Sequence, residues 1–316
     1  MMTSLKSMPW SDLVAVGIRT TADGPFCDDL FWQFLLRDRV LEIPGQAIDG
    51  EALREIQARL PEIDSGKIIL AMGSTDDRIF RLWHRDESHA RPHTEALAAR
   101  FVALVHRMGG DRESARPTFE RVNTAWTEVR RRYHGIEHLL DCLREIDVAD
   151  VAAPDRDLAE LALWYHDVVY EPFARDCEAR SAAILLEDGA ALGIPRASLK
   201  IAAELVRTTA HASGWTGAGT PVRDLVLDID LSILGRDVLR FMEYEYAIEE
   251  EYAPTCTATF RIGRGRFLAS LLERPSIFRT DRFRRRHEEP ARRQIGALLE
   301  SPRYLAYRAV RWLPGV

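Results

Sequence analysis

Apolar residues recur along this chain with two different periods, and the change of period near residue 94 divides it. Residues 11 to 20, Ser-Asp-Leu-Val-Ala-Val-Gly-Ile-Arg-Thr, form a β-favouring run that the turn-forming Asp23-Gly24-Pro25 closes. Asp28 and Asp29 stand where they can cap a short helix through Phe31, Phe34 and Leu35. Gly50 to Leu60 predicts a second helix, with Leu53, Ile56 and Leu60 on one face. Two further runs, Lys67 to Met72 and Arg78 to Trp83, flank Gly73-Ser74-Thr75-Asp76-Asp77 and predict a hairpin. Residues 1 to 93 are therefore expected to form a small α+β domain.

From Thr94 the apolar spacing is helical throughout. Glu95 to Met108 sets Leu97, Phe101, Leu104, Val105 and Met108 on one side, and Gly109-Gly110 supplies a helix stop. Pro117 to Arg132 carries Phe119, Val122, Trp126 and Val129 at helical intervals. Helices are expected again at 136 to 146, 157 to 168, 176 to 192, 198 to 211, 222 to 234, 237 to 251 and 265 to 273, with no alternating strand pattern between them. The chain should be mainly α: an all-α domain over 94 to 316 behind the α+β one.

Composition narrows the partners. At 316 residues the chain exceeds the common single-domain size of about 100 to 200 residues, which agrees with two domains. The 43 basic and 49 acidic residues give a net charge of −6, which argues against electrostatic capture of nucleic acid. Cys27, Cys142, Cys177 and Cys256 contain no Cys-x-x-Cys pair, so a zinc ribbon or disulfide scaffold is not indicated and a reducing, cytoplasmic setting is. Leu13 to Ile18 falls well short of the ~18 apolar residues of a membrane span and lacks a signal-peptide pattern.

The first domain shows no phosphate loop and no ligand cluster. His84, His89 and His93 are close in sequence, but Arg85, Asp86, Glu87, Ser88, Arg91 and Pro92 around them make a solvated connector. The second domain carries the chemistry. His134 and His138 lie four apart, which on one helix faces them to a common side, whereas Glu137 points off that side. His166 shares a stripe with Leu158, Leu161, Ala162 and Tyr165, and Asp167 follows it directly. Asp228 and Asp230 interrupt an otherwise apolar stretch, Val226 to Leu234, where unpaired carboxylates would be costly. Two histidines and two aspartates suit zinc, manganese, iron or magnesium and leave room for a water that the cation can activate for hydrolysis.

The order His138, then His166-Asp167, then Asp230, on separate helices, resembles the HD superfamily of metal-dependent phosphohydrolases. Tyr133-His134 with His138 and Asp230-Leu231-Ser232 are similar to segments of the distantly related cyclic-nucleotide phosphodiesterases. Arg132-Tyr133-His134, the stretch Ala162 to Tyr170, Glu178 with Ser181, and Asp230-Leu231-Ser232-Ile233-Leu234-Gly235 resemble a bacterial group of HD-type hydrolases. The resemblance covers roughly residues 115 to 300. It implies His138, His166, Asp167 and Asp230 as ligands of a divalent metal ion, with Asp167 able to bridge a second one, and His134 as the proton donor to the leaving oxygen. Asp228, in the same apolar stretch as Asp230, is expected as an outer support; His211, near a helix end, and Arg264, in a Gly263-Arg264-Gly265-Arg266 segment that resembles one of the same group, are candidates for substrate contact or a second metal. Gly135 and Cys177 stand where those families have Asn.

Among other arginines, Arg175, Arg207, Arg261 and Arg266 are candidates to clamp phosphate, and the run Arg279 to Arg293 reads as a solvated face. The expected function is metal-dependent hydrolysis of a phosphomonoester or phosphodiester, a small nucleotide-like substrate. The alternatives are a di-iron HD-type oxygenase, which would enlist His211, and a non-catalytic nucleotide or metal sensor.

Overall fold

In the computed structural model, the described residues are 5, 8–22, 28–85, 94–211, 219–253 and 256–312. They pack as two units, one of Met1–Arg91 with Asp237–Tyr246 and one of Pro92–Arg236 with Ala247–Val316.

The first unit is a four-stranded antiparallel sheet with two helices. Strand β1 (Leu13–Thr20) pairs with β2 (Leu30–Leu36) on one side and β4 (Arg78–His84) on the other, and β3 (Val40–Pro44) completes the order β3-β2-β1-β4. The helix expected at Phe31, Phe34 and Leu35 is thus strand β2. Its inward residues are Trp32, Phe34 and Leu36, a period of two in which aromatic and branched side chains pack on a pleated surface. The hairpin expected of residues 67 to 83 is also corrected. Its first arm is helix α2 (Ser65–Met72), capped by Asp64, which accepts from the Lys67 backbone N–H at 2.9 Å. Ile68 and Ala71, three apart, face the core, and β4 pairs with β1 instead. Helix α1 (Gly50–Arg59) is as expected, begun by Asp49. Segment 237–246, which the sequence reading assigned to the helical domain, packs with this unit: Asp237 lies 3.5 Å from Arg81 and 3.8 Å from His84, and Glu243 2.9 Å from Lys67. His84 therefore ends a strand beside a carboxylate, while His89, His93, Cys27 and the Asp23-Gly24-Pro25 turn lie outside the described residues.

The second unit is helical, with no strand among its described residues: α3 (Thr94–Arg107), α4 (Arg112–Trp126), α5 (Ile136–Val148), α6 (Asp155–Tyr165), α7 (Cys177–Ala191), α8 (Arg196–Thr208), α9 (Pro221–Asp230), the last turns of α10 (Val238–Glu251), α11 (Thr257–Leu272), α12 (Asp281–Phe283), α13 (Glu289–Glu300) and α14 (Leu305–Val310). Helix α4 starts at Arg112, before Pro117, because Asp111 caps it by accepting from Ser114 N–H at 2.8 Å, and it ends at Trp126 rather than Arg132. Helix α6 is the axis. Every residue from Asp157 to Tyr165 is buried, and α3, α5, α7, α8 and α9 all pack on it. Its acids are neutralised in place, Glu160 by Arg100 at 2.6 Å and Asp157 by Arg107 at 2.9 Å.

After α9 the chain tightens into a 3-10 turn, Leu231–Gly235, against the wide turn Arg284–Glu288 that follows α12. The 279 to 293 run presents Arg284, Arg285 and Arg286 to solvent as expected, yet buries Phe283 and His287. Gly235 permits this approach, since a Cβ there would lie 2.6 Å from the His287 carbonyl oxygen and 2.7 Å from its Cα. Backbone atoms cannot rotate aside. Gly235→Ala is expected to destabilise the helical unit by about 1–3 kcal/mol, read as a lowered denaturant midpoint; an unchanged midpoint would contradict this contact.

Candidate metal centre

The end of α6 delivers His166 and Asp167 into the interior, the start of α5 delivers His138, and the end of α9 delivers Asp230. Helix α5 begins at Ile136 with Gly135 as its cap residue, so His134 precedes the helix and does not share its face, contrary to the four-residue spacing argument. Its ring nevertheless reaches the same region, with its centre 6.0 Å from that of His138.

The donor atoms converge. Nε2 of His138 lies 3.0 Å from Nε2 of His166 and 3.2 Å from Asp230 Oδ1; Nε2 of His166 lies 3.2 Å from Asp167 Oδ2 and 3.6 Å from Asp230 Oδ1. The distance from His138 Nε2 to Asp167 Oδ2 is 3.8 Å. Ligands ~2.0–2.2 Å from one cation at tetrahedral or octahedral angles stand roughly 2.8 to 3.6 Å apart. The first four separations fall in that range and the fifth just above it.

The Nδ1 of His166 is held 2.8 Å from the Leu163 carbonyl oxygen, to which it donates, so the lone pair of a neutral His166 ring sits on Nε2. Two imidazole nitrogens facing each other at 3.0 Å between two carboxylates are best compensated by a positive charge in their midst, an added proton or a metal cation. Burial lowers the affinity of His166 for a proton, but Asp167 and Asp230 outweigh it and hold its pKa well above the usual histidine range. Burial likewise works against ionised Asp167 and Asp230, and the imidazoles reverse it, bringing Asp167 to about 2 and Asp230 well below the ordinary carboxylate value.

A third donor on the buried side escaped the sequence reading. Cys142, one turn beyond His138 on α5, brings its Sγ to 3.8 Å from His138 Nε2, and His138, Cys142 and His166 form a buried group that could hold a metal ion. The i, i+4 spacing was the available signal. Burial first, then the nearby acids led by Asp230, push the Cys142 thiol well above its usual pKa, which favours the protonated and weakly ligating form.

Two further residues build the surroundings and were also missed. Glu251, at the end of α10, is buried; its Oε1 accepts from the backbone N–H groups of Arg132, Tyr133 and His134 at 2.8, 2.8 and 3.0 Å. Its Oε2 lies 2.7 Å from His134 Nδ1 and accepts from the Tyr170 hydroxyl at 2.8 Å. A carboxylate only accepts, so Nδ1 of His134 carries the proton and Nε2 is the nitrogen left to exchange one. Tyr170 stacks on the same ring at 4.0 Å. Arg131 does the complementary work, its buried guanidinium donating to the carbonyls of His134 at 3.1 Å, Asp167 at 2.5 Å and Val168 at 3.0 Å. Both are long-range partners, and no local pattern announces them.

His211 joins the cluster at its outer edge, Nε2 standing 2.8 Å from Asp230 Oδ2. It adopts a left-handed backbone conformation with φ of 49°, a state that costs a non-glycine residue on the order of 1–3 kcal/mol. Glu178, at the start of α7, responds to the same charges: burial, Asp167 and Asp230 raise its pKa, while its own backbone N–H and His211 oppose them. Asp228 is not an outer support of these donors. Its carboxylate turns to the 279 to 280 segment, accepting from Arg279 N–H, Thr280 N–H and the Thr280 hydroxyl, each at 2.7 Å, although burial lifts its pKa to about 6.

Of the arginines named from sequence, Arg264 lies over the Phe267 ring at 5.1 Å, Arg207 pairs with Glu204 and Arg261 with Glu249. Arg175 is exposed. The Gly135 and Cys177 departures have local roles: a Cβ at Gly135 would lie 3.3 Å from the Trp126 carbonyl oxygen, and the Cys177 sulfur accepts from Glu171 N–H at 3.3 Å, closing the turn before α7.

Family models, curated proteins and solved structures gave no match to this chain. No helix among the described residues is long and apolar enough to cross a membrane.

Adding Zn²⁺ or Mn²⁺ to chelator-treated protein is expected to raise its thermal midpoint, by the equivalent of about 2.7 kcal/mol at a hundredfold excess over Kd. The His138→Ala, His166→Ala double variant should show no rise. Cys142→Ala separates the donor sets: retained metal assigns the carboxylates as the remaining ligands, and lost metal assigns the thiol.

Proposed function

We propose that the chain is a metal-dependent phosphohydrolase of the HD type, acting on a small phosphomonoester or phosphodiester of nucleotide-like character. The observation that carries this reading is the convergence of two imidazole nitrogens and two carboxylates within 3.0 to 3.8 Å, in the chain order of that superfamily. His138, His166, Asp167 and Asp230 would hold the cation. A divalent ion there would lower the pKa of water toward neutrality and offset charge developing on the phosphoryl oxygens.

The remaining work falls to side chains of this protein. His166 and His138 are buried, whereas His134 keeps a fifth of its side chain exposed, 21%. Glu251 and Tyr170 fix the His134 ring, so that a proton on Nε2 can pass to the leaving oxygen. Arg131 ties the His134 carbonyl to those of Asp167 and Val168, which sets the distance between the proton donor and the carboxylate. Cys142 and Cys177, both buried and free, fit the reducing cytoplasm inferred from sequence.

One observation favours a second reading. His211, 2.8 Å from Asp230, would offer the additional histidine donor that the di-iron alternative needs. Iron at two per chain with substrate-dependent oxygen consumption would select it.

For the hydrolase, His134→Ala should lower turnover by ~100- to 10,000-fold on a phosphoester with an alkoxide leaving group. The loss should shrink on a nitrophenyl ester, whose leaving group needs no proton, and the bound metal should stay at the wild-type level. Metal analysis and rates on the two substrates check this, and a variant purified without metal would overturn the role of His134.

A further inference from the structure

Beside His211 lies a cavity of about 40 Å³ lined by Thr208, His211, Arg223, Asp228, Arg274 and Arg279, with Leu227, Leu231 and Ile277 as its apolar floor. One water needs roughly 10–15 Å³ of such space, so this cavity holds about three waters, the scale of one phosphoryl group and too little for a nucleobase. Three guanidinium groups surround it.

Two of the three lack full compensation: Arg274 forms no ion pair among the described residues, and the buried Nε of Arg223 has no hydrogen-bond partner among them, while Arg279 lies 3.4 Å from Asp224. The carboxylate of Asp228 is engaged by the Arg279 and Thr280 donors. Burial, then the neighbouring Arg279, lower the pKa of Arg274, as expected of a desolvated cation that faces another cation.

The segment that carries Arg274 and Arg279 is held by backbone hydrogen bonds. Glu288 accepts from the N–H groups of Ile277 and Phe278 at 3.0 Å each, and Arg292 donates to the carbonyls of Leu272 at 2.9 Å and Arg274 at 2.6 Å. Asp228 pins the far end at Arg279 and Thr280. A chain that spends a buried acid, a half-buried one and an arginine on fixing the segment that carries two of three cations beside a small space has prepared an anion site in advance. Guanidinium is the side chain best matched to phosphoryl oxygens.

We propose that this cavity binds a second phosphoryl group of the substrate whose first is hydrolysed at the donor cluster, one imidazole ring away through His211 and Asp230. The substrate class is then a small molecule with at least two phosphoryl groups. That assignment rests on the phosphohydrolase reading; the anion site does not.

Calorimetric titration of the chelator-treated full chain with inorganic pyrophosphate and with phosphate tests the site without metal, when the acids of the donor cluster repel anions. Saturable binding is expected. Arg274→Gln and Arg279→Gln should each weaken it roughly tenfold or more, the loss of one charge-assisted hydrogen bond. Arg274→Lys should recover part of it, and Arg116→Gln, which removes an exposed arginine paired with Glu95, should bind as the wild type does. No saturable binding by the wild-type chain, or equal binding by the Arg274→Gln, Arg279→Gln double variant, would overturn the anion site and leave the hydrolase reading standing. Arginine-dependent binding in a chain that hydrolyses no phosphoester would keep the anion site and overturn the substrate assignment.

Discussion

Two buried imidazoles and two largely buried carboxylates meet where helix α6 packs on its neighbours, and the rest of the helical unit answers to that fact. An ionised group moved out of water is several kcal/mol less stable unless an opposite charge or a set of hydrogen bonds replaces the lost hydration. Here the compensation is mutual, since Asp167 and Asp230 hold His166 protonated in the absence of a cation and are themselves held ionised by the imidazoles. A divalent cation can take the proton's place with more charge, and the Leu163 carbonyl has already turned the His166 lone pair toward it.

Positioning is divided between one acid and one base of opposite function. Glu251 gathers three backbone N–H groups and the His134 ring, which a helix entry would otherwise leave to water. Arg131 gathers three carbonyls from the two segments that carry His134 and Asp167. Each is a buried ion that makes three hydrogen bonds to backbone, so each fixes chain geometry more tightly than a side-chain pair alone would. Removing either would leave several buried polar groups without partners at once.

How much of this the sequence disclosed depended on the range of the interaction. Periodicity reported α3, α7 and α8 because their apolar stripes are local and long. It misassigned β2 and α2, where seven and eight residues are too few to separate the two periods, and where the deciding features were the pairing to β1 and the Asp64 cap. His166, Asp167 and Asp230 stood out because polar groups inside apolar runs need a partner, and His138 through its four-residue spacing from His134 and the family resemblance; the structure brings the four together. Asp228 met the same criterion and serves another segment, since an apolar setting shows that a carboxylate has a partner without showing which one. Glu251, Arg131 and the arginines of the cavity were not legible, because their partners lie far along the chain and nothing in their neighbourhood distinguishes them from solvated charges.

The geometry also links the donor cluster to the cavity beside it through a single carboxylate. Asp230 turns Oδ1 to His138 and His166 and Oδ2 to His211, and His211 is part of the cavity wall. A cation drawing on Oδ1 withdraws charge from Oδ2 and weakens its hold on the His211 ring, while an anion among the arginines attracts that ring from the other side. The His211 backbone adopts a left-handed φ of 49°, and its ring meets Asp230 on one side and the cavity on the other. Coupling of this kind is reciprocal: whatever factor an anion in the cavity applies to cation affinity, the cation applies to the affinity of the anion.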